Sequence, residues 1–67
     1  MQKEHVSNNL AEIRKQHNIT QQELAESVGV SRQTIISIEK GNYTPSVLLA
    51  LKISKRLGTD LETIFSL

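Results

Sequence analysis

Apolar residues recur at helical spacing along the chain, and no stretch alternates apolar and polar positions as a half-buried strand does. Leu10, Ile13, Arg14 and His17 fall at i, i+3, i+4 and i+7, which predicts a first helix over residues 7–17 with an arginine on its apolar face. Asn18 follows, a residue that tolerates the left-handed backbone found at helix ends. Thr20 with Glu23 three positions on forms a capping box, and Ile19 can staple against Leu24. The second helix turns Leu24, Ala25 and Val28 inward and stops at Gly29. Ser31 caps a third helix, with Val30 and Ile35 as another staple. Thr34, Ile35 and Ile38 share its buried face, Arg32, Gln33, Ile36, Ser37 and Lys40 project from the other, and Gly41 ends it. Residues 41–45 read as a polar loop. Ser46 caps a fourth helix to about Leu57, expected to turn Val47, Ala50, Leu51, Ile53, Ser54 and Leu57 inward, with Leu48 and Leu49 at the edge. Gly58 breaks it, and Asp60 caps a last short helix carrying Leu61, Ile64 and Phe65. The pattern predicts an all-α, compact five-helix domain.

The chain has 67 residues, 37% apolar and 22% charged, which is too apolar and too balanced for a disordered tail. One domain over residues 1–67, with no effector domain, is expected. A chain this short buries only about 60% of the surface its unfolded form exposes, so its core has little to spare. With no Cys there is neither a disulfide nor a thiolate zinc site. His5 and His17 have no metal-ligand partner at helical spacing, and no Gly-rich phosphate loop or nucleophile elbow occurs. Glu23 reads as a cap and Glu39 as an ion-pair partner. No enzyme activity, metal or cofactor is therefore expected. No apolar run approaches the roughly 20 residues of a membrane span, and Met1-Gln2-Lys3-Glu4 does not open a signal peptide. A soluble, cytoplasmic protein with no membrane partner is the expectation.

The net charge is only +1, but it is unevenly spread. Residues 32–56 carry Arg32, Lys40, Lys52, Lys55 and Arg56 against Glu39 alone, while the segments on either side are net negative. A basic middle suggests an anionic partner, usually nucleic acid.

Residues 20–41 are two short helices joined by a Gly-Val-Ser turn. In a helix-turn-helix the first helix crosses the DNA backbone and the second enters the major groove. Ala25 supplies the small residue where two such helices cross, and Arg32-Gln33 supply donors and acceptors at the start of the second. Arg can pair bidentately with guanine and Gln with adenine. An ordinary αα-corner shares the capping box, but not the full spacing of Gln21, Glu23, Leu24, Ala25, Gly29, Ser31, Ile35, Ile38, Glu39 and Gly41.

Gln21-Gln22-Glu23-Leu24-Ala25, Gly29-Val30-Ser31 and Ile38-Glu39-Lys40-Gly41 resemble the Cro/C1-type (XRE-like) helix-turn-helix proteins of phages and bacteria. Pro45-Ser46, Leu51-Lys52-Ile53 and Leu57-Gly58 extend the resemblance to about residues 8–66, and the chain is also similar to short stand-alone cytolysin-type regulators. The resemblance implies a lambda-repressor-like fold and a transcriptional regulator, a repressor, that binds a (pseudo)palindromic site on double-stranded DNA as a homodimer. It implies base contacts by Arg32, Gln33 and Ser37, and backbone contacts by Gln21, which can also touch an edge base, and by Ser31, Lys40, Asn42, Tyr43 and Thr44. Ser37 is shorter than the Gln or Arg often found there, and Ile36 offers an apolar contact to a thymine methyl.

Arg14 and Glu39, positions that family members often pair, are expected to form a partly buried ion pair. Leu61, Ile64, Phe65 and Leu67 crowd the last seven residues, so Phe65 and Leu67, with Leu61 at the edge and Leu48 as a neighbour, are expected at a dimer interface. The alternative reading is an antitoxin or bridging module whose main partner is another protein, docked on the surplus apolar residues of the fourth helix and tail.

Overall fold

The computed structural model describes residues 5–67, so the expectation resting on residues 1–4 lies outside the described residues. Five helices are present: α1 Leu10–Gln16, α2 Gln21–Val28, α3 Arg32–Glu39, α4 Val47–Leu57 and α5 Leu61–Ile64. A two-residue strand precedes them and another follows: β1 Ser7–Asn8 pairs antiparallel with β2 Phe65–Ser66, Ser7 opposite Ser66 and Asn8 opposite Phe65. The fold is thus helical with a small strand clasp, and the expectations at both ends of the chain need correction. The first helix begins at Leu10 rather than at residue 7, because Ser7 and Asn8 are drawn into the clasp. Asn8 Oδ1 accepts from the Leu10 backbone N–H at 3.0 Å, and Asn9 N–H donates to Ile64 O at 2.9 Å. At the other end Phe65 is extended, outside α5, and the Asp60 side chain makes no capping hydrogen bond.

The helix boundaries that carry a capping chemistry fall where that chemistry puts them. Thr20 Oγ1 accepts from Glu23 N–H, and the Glu23 carboxylate accepts from Thr20 N–H at 2.9 Å. That backbone N–H, then the Thr20 hydroxyl, then the charge of Arg56 hold the Glu23 carboxyl below its ordinary pKa. The sign follows: the box is at full strength above the unfolded carboxyl's pKa and is lost as pH falls through the lowered one. Ser31 and Ser46 cap α3 and α4 by accepting from Thr34 and Leu49 N–H. Asn18 adopts positive φ, as does Gly29, whose left-handed φ of 77° turns the chain from α2 into α3 within three residues.

Leu10, Leu24, Ala25, Ile35, Ile38, Ile53, Leu57 and Ile64 are essentially solvent-free and form the centre of the core. Ala25, at 0% exposure, lets α2 pack closely on α3. The inward face of α4 differs from the expected one. Leu49, Ala50, Ile53 and Leu57 are buried, whereas Val47 and Leu51 are 74% and 51% exposed. Phe65 is buried in the monomer core, and Leu67 is fully outside it. Leu48 lines a groove with Val30, Tyr43 and Lys52, not the one beside Leu61 and Phe65.

Candidate nucleic-acid interface

The outward face of α3 is built by its N-terminal cap. With Ser31 fixed at the cap and Ile35 and Ile38 in the core, Arg32 and Gln33 emerge exposed in the first turn. Ser37 lies one turn further on, and Gln33 Nε2 reaches its hydroxyl at 3.4 Å. Ile36 is half-buried. Lys40 caps the helix and is exposed.

The loop after α3 is tied back to that helix: Gly41 N–H donates to Ile38 O and Asn42 N–H to Ser37 O. This brings Asn42 and Tyr43 beside Ser31, Gln33 and Ser37 around one shallow cleft. Tyr43 is 47% exposed, and Thr44 stands exposed next to it. Hydroxyl and amide donors from the loop, a helix N-terminus and the polar α3 face thus lie on one surface, the combination that binds phosphates and reads base edges.

Behind that surface lies the Arg14–Glu39 ion pair, with both side chains about nine-tenths buried. Arg14 Nε donates to Glu39 Oε2 at 2.7 Å and Nη2 to Oε1 at 3.3 Å, while Nη1 donates to Ile19 O at 2.9 Å. The pair therefore joins α1, the start of α2 and the end of α3. Asn8 adds a second tie, donating from Nδ2 to Ile38 O at 2.8 Å. Two further links were not foreseeable from sequence. Gln21 Nε2 donates to Glu39 Oε1 at 3.0 Å, and Arg32 Nη2 donates to Gln21 Oε1 at 3.4 Å. Gln21 and Glu39 are 18 residues apart and meet only because α2 packs on α3. No periodicity encodes that meeting.

The remaining cations sit elsewhere. Lys52, Lys55 and Arg56 on α4 line a groove against Glu26, Ser27 and Gly29 at the end of α2. His17 is exposed, its Nδ1 2.8 Å from Ile13 O, and no group of acidic or imidazole side chains among the described residues could hold a metal ion. Among the described residues no helix is long and apolar enough to cross a membrane.

Two crossing helices with a polar, capped second helix make this a helix-turn-helix DNA-binding domain. Residues 10–64 match the helix-turn-helix family model, and the chain belongs to the Cro/C1-type (XRE-like) helix-turn-helix family. It is 55% identical over 60 residues to an uncharacterized HTH-type transcriptional regulator of Methanocaldococcus jannaschii, covering 90% of this chain and 91% of that one. It is 47% identical over 60 residues, with the same coverage, to the HTH-type regulator YgzD of Bacillus subtilis. Among solved structures it is similar to the restriction-modification controller protein C.AhdI from Aeromonas hydrophila, with a TM-score of 0.75 and 26% identity over 81% of this chain and 82% of that one. The protein is accordingly a DNA-binding transcriptional regulator and not an enzyme.

Proposed function

We propose that the protein is a repressor that binds a (pseudo)palindromic operator as a symmetric homodimer, with α3 of each subunit in the major groove. The observation that carries this reading is the cleft in which Gln33 and Ser37 of α3 meet the loop donors Asn42 and Tyr43, with Arg32 and Thr44 exposed beside them in sequence. Arg32, Gln33, Ile36 and Ser37 are assigned to bases, and Gln21, Ser31, Lys40, Asn42, Tyr43 and Thr44 to the backbone. Selection of binding sites from random DNA tests the reading, which expects an inverted repeat with half-sites about 34 Å apart. On the selected site Arg32→Ala or Gln33→Ala should each cost about 1–3 kcal/mol, and less on scrambled DNA. Equal losses on both probes would make these residues phosphate contacts.

One α3 spans too few base pairs to select a genomic site, which is the reason for a dimer. The surface that suits it is apolar: Leu67 is 87% exposed, and the half-buried Leu61 lines a groove with Val6, Pro45, Val47 and Phe65. Leu51 is exposed one helical turn beyond Val47. Phe65 offers only its rim, being held by the monomer core, so Phe65→Ala would confound folding with association. Leu51→Glu and removal of Leu67 are cleaner. Sedimentation at micromolar concentration should give a dimer for the wild type and a monomer for Leu51→Glu, which should lose cooperative binding to a two-half-site probe. Unchanged association in both variants would place the interface elsewhere.

A further inference from the structure

The loop after α3 is held at its start by the strand clasp and at its end by the apolar surface beside that clasp. At the start, Ile38 O accepts two hydrogen bonds, from Gly41 N–H at 3.0 Å and from Asn8 Nδ2 at 2.8 Å. The first, together with Asn42 N–H on Ser37 O, closes a Schellman turn with Gly41 at a positive φ of 79°. The second comes from 30 residues away and takes the remaining lone pair of the carbonyl at which the chain leaves α3. At the loop's end, Thr44 and Pro45 line the same groove as Val6, Val47, Leu61 and Phe65. Both polar ends of the Asn8 amide are committed, because Oδ1 accepts from Leu10 N–H while Nδ2 meets Ile38 O. Asn8 also stands opposite Phe65 in the clasp, and Asn9 N–H donates to Ile64 O at 2.9 Å. The tail, Asn8 and the last turn of α3 are therefore one connected unit.

From this we infer that Asn8 is the positioning residue for the loop of residues 41–45, and that a second copy covering the tail presets this loop for DNA phosphates through it. The inference rests on the reading of the tail as a dimer surface and of Asn42, Tyr43 and Thr44 as backbone contacts. A second copy seated on Leu61 and Leu67 holds β2, β2 holds β1, and Asn8 holds Ile38 O. With the clasp open, the loop keeps its Schellman turn but loses the tie from outside, and its donors must be ordered when DNA binds. Dimerisation then favours DNA by more than a doubling of contacts, because the ordering precedes binding.

The test compares wild type, Asn8→Ser, Leu51→Glu and the double variant. Asn8→Ser keeps a hydroxyl that can accept from Leu10 N–H, adds no charge and is too short to reach Ile38 O. Hydrogen exchange at the Gly41 and Asn42 amides is read against that at Leu24, whose N–H donates to Thr20 O. Asn8→Ser should speed exchange at Gly41 and Asn42 about fivefold relative to Leu24, the worth of one hydrogen bond. Leu51→Glu should speed the same two amides in the wild-type background and add nothing in the Asn8→Ser background. On the selected DNA, Asn8→Ser should lose about fivefold in affinity per half-site, equally for all single-base variants. The salt slope should not change, because the loop donors are neutral. Exchange at Gly41 and Asn42 unaltered by Asn8→Ser would overturn the inference. So would exchange indifferent to Leu51→Glu when sedimentation shows that variant monomeric. Faster exchange with unchanged affinity would take the loop off the DNA, and a loss confined to some bases would move the effect to the base-reading face of α3; either overturns the inference. A monomeric wild type, or a Leu51→Glu that stays dimeric, would overturn the reading of the dimer surface itself, and this inference with it.

Discussion

Arg14→Met should cost the folded domain about 3–5 kcal/mol in a urea titration, because it strands a carboxylate whose side chain is only 9% exposed. Glu39→Met should cost a similar amount by stranding the guanidinium. For a domain of this size, whose total stability is roughly 3–10 kcal/mol, either loss approaches the whole margin. The double variant distinguishes a buried pair from a surface pair. Two apolar side chains of matching volume remove both desolvated charges together, so Arg14→Met/Glu39→Met should recover most of what either single change loses. The recovery should be incomplete, because Arg14 also donates to Ile19 O and Glu39 also accepts from Gln21. A carbonyl and an amide are left short of partners in the double variant. Single variants that each lose under about 1 kcal/mol would match an exposed pair and refute the structural role.

That pair was legible in sequence because Arg14 breaks an otherwise apolar stripe, Leu10-Ile13-Arg14, and a cation there needs a partner. The caps were legible for a similar reason: Thr20 with Glu23, Ser31 and Ser46 are local chemistry, closed within three residues, and each marks a helix start that the structure reproduces. The inward face of α4 was not. Val47, Leu48, Leu49, Ala50, Leu51, Ile53 and Leu57 put apolar side chains nearly all round the helix, so two different stripes fit the helical period equally well. Packing on α2 and α5 selects Leu49 over Leu51, and the stripe it leaves out becomes exposed apolar surface. The strand clasp escaped because two residues are too few for alternation to register, and its partners lie at opposite ends of the chain. At the candidate site the reading named Gln21, Arg32 and Glu39 one by one, each for its own role. Their hydrogen-bonded order depends on the α2–α3 crossing, which is tertiary.

The folded arrangement also sharpens what salt should do to DNA binding. Each phosphate neutralised contributes about 0.9 to the slope of log K against log salt. The five cations of residues 32–56 do not share one surface. Arg32 and Lys40 flank the exposed face of α3, while Lys52, Lys55 and Arg56 lie along the α2–α4 groove. If only the α3 pair engages DNA, a dimer presents two such pairs, and the slope should be roughly −4. If the three α4 cations of each subunit reach flanking phosphates as well, it should approach roughly −9. Between about 50 and about 200 mM salt the first case loses a little over two decades of affinity and the second somewhat over five. Lys55→Gln together with Arg56→Gln separates the two cases. Both side chains are exposed and neither forms an ion pair among the described residues; only the weak attraction of Arg56 for the exposed Glu23 carboxylate is lost, so folding should be little affected. A slope that stays near −4 in wild type and variant confines DNA to the α3 face. A slope near about −9 that falls to roughly −5 in the variant extends the footprint around α4. A slope near zero in the wild type would remove the electrostatic basis for DNA binding and turn attention to a protein partner on the exposed apolar face of α4.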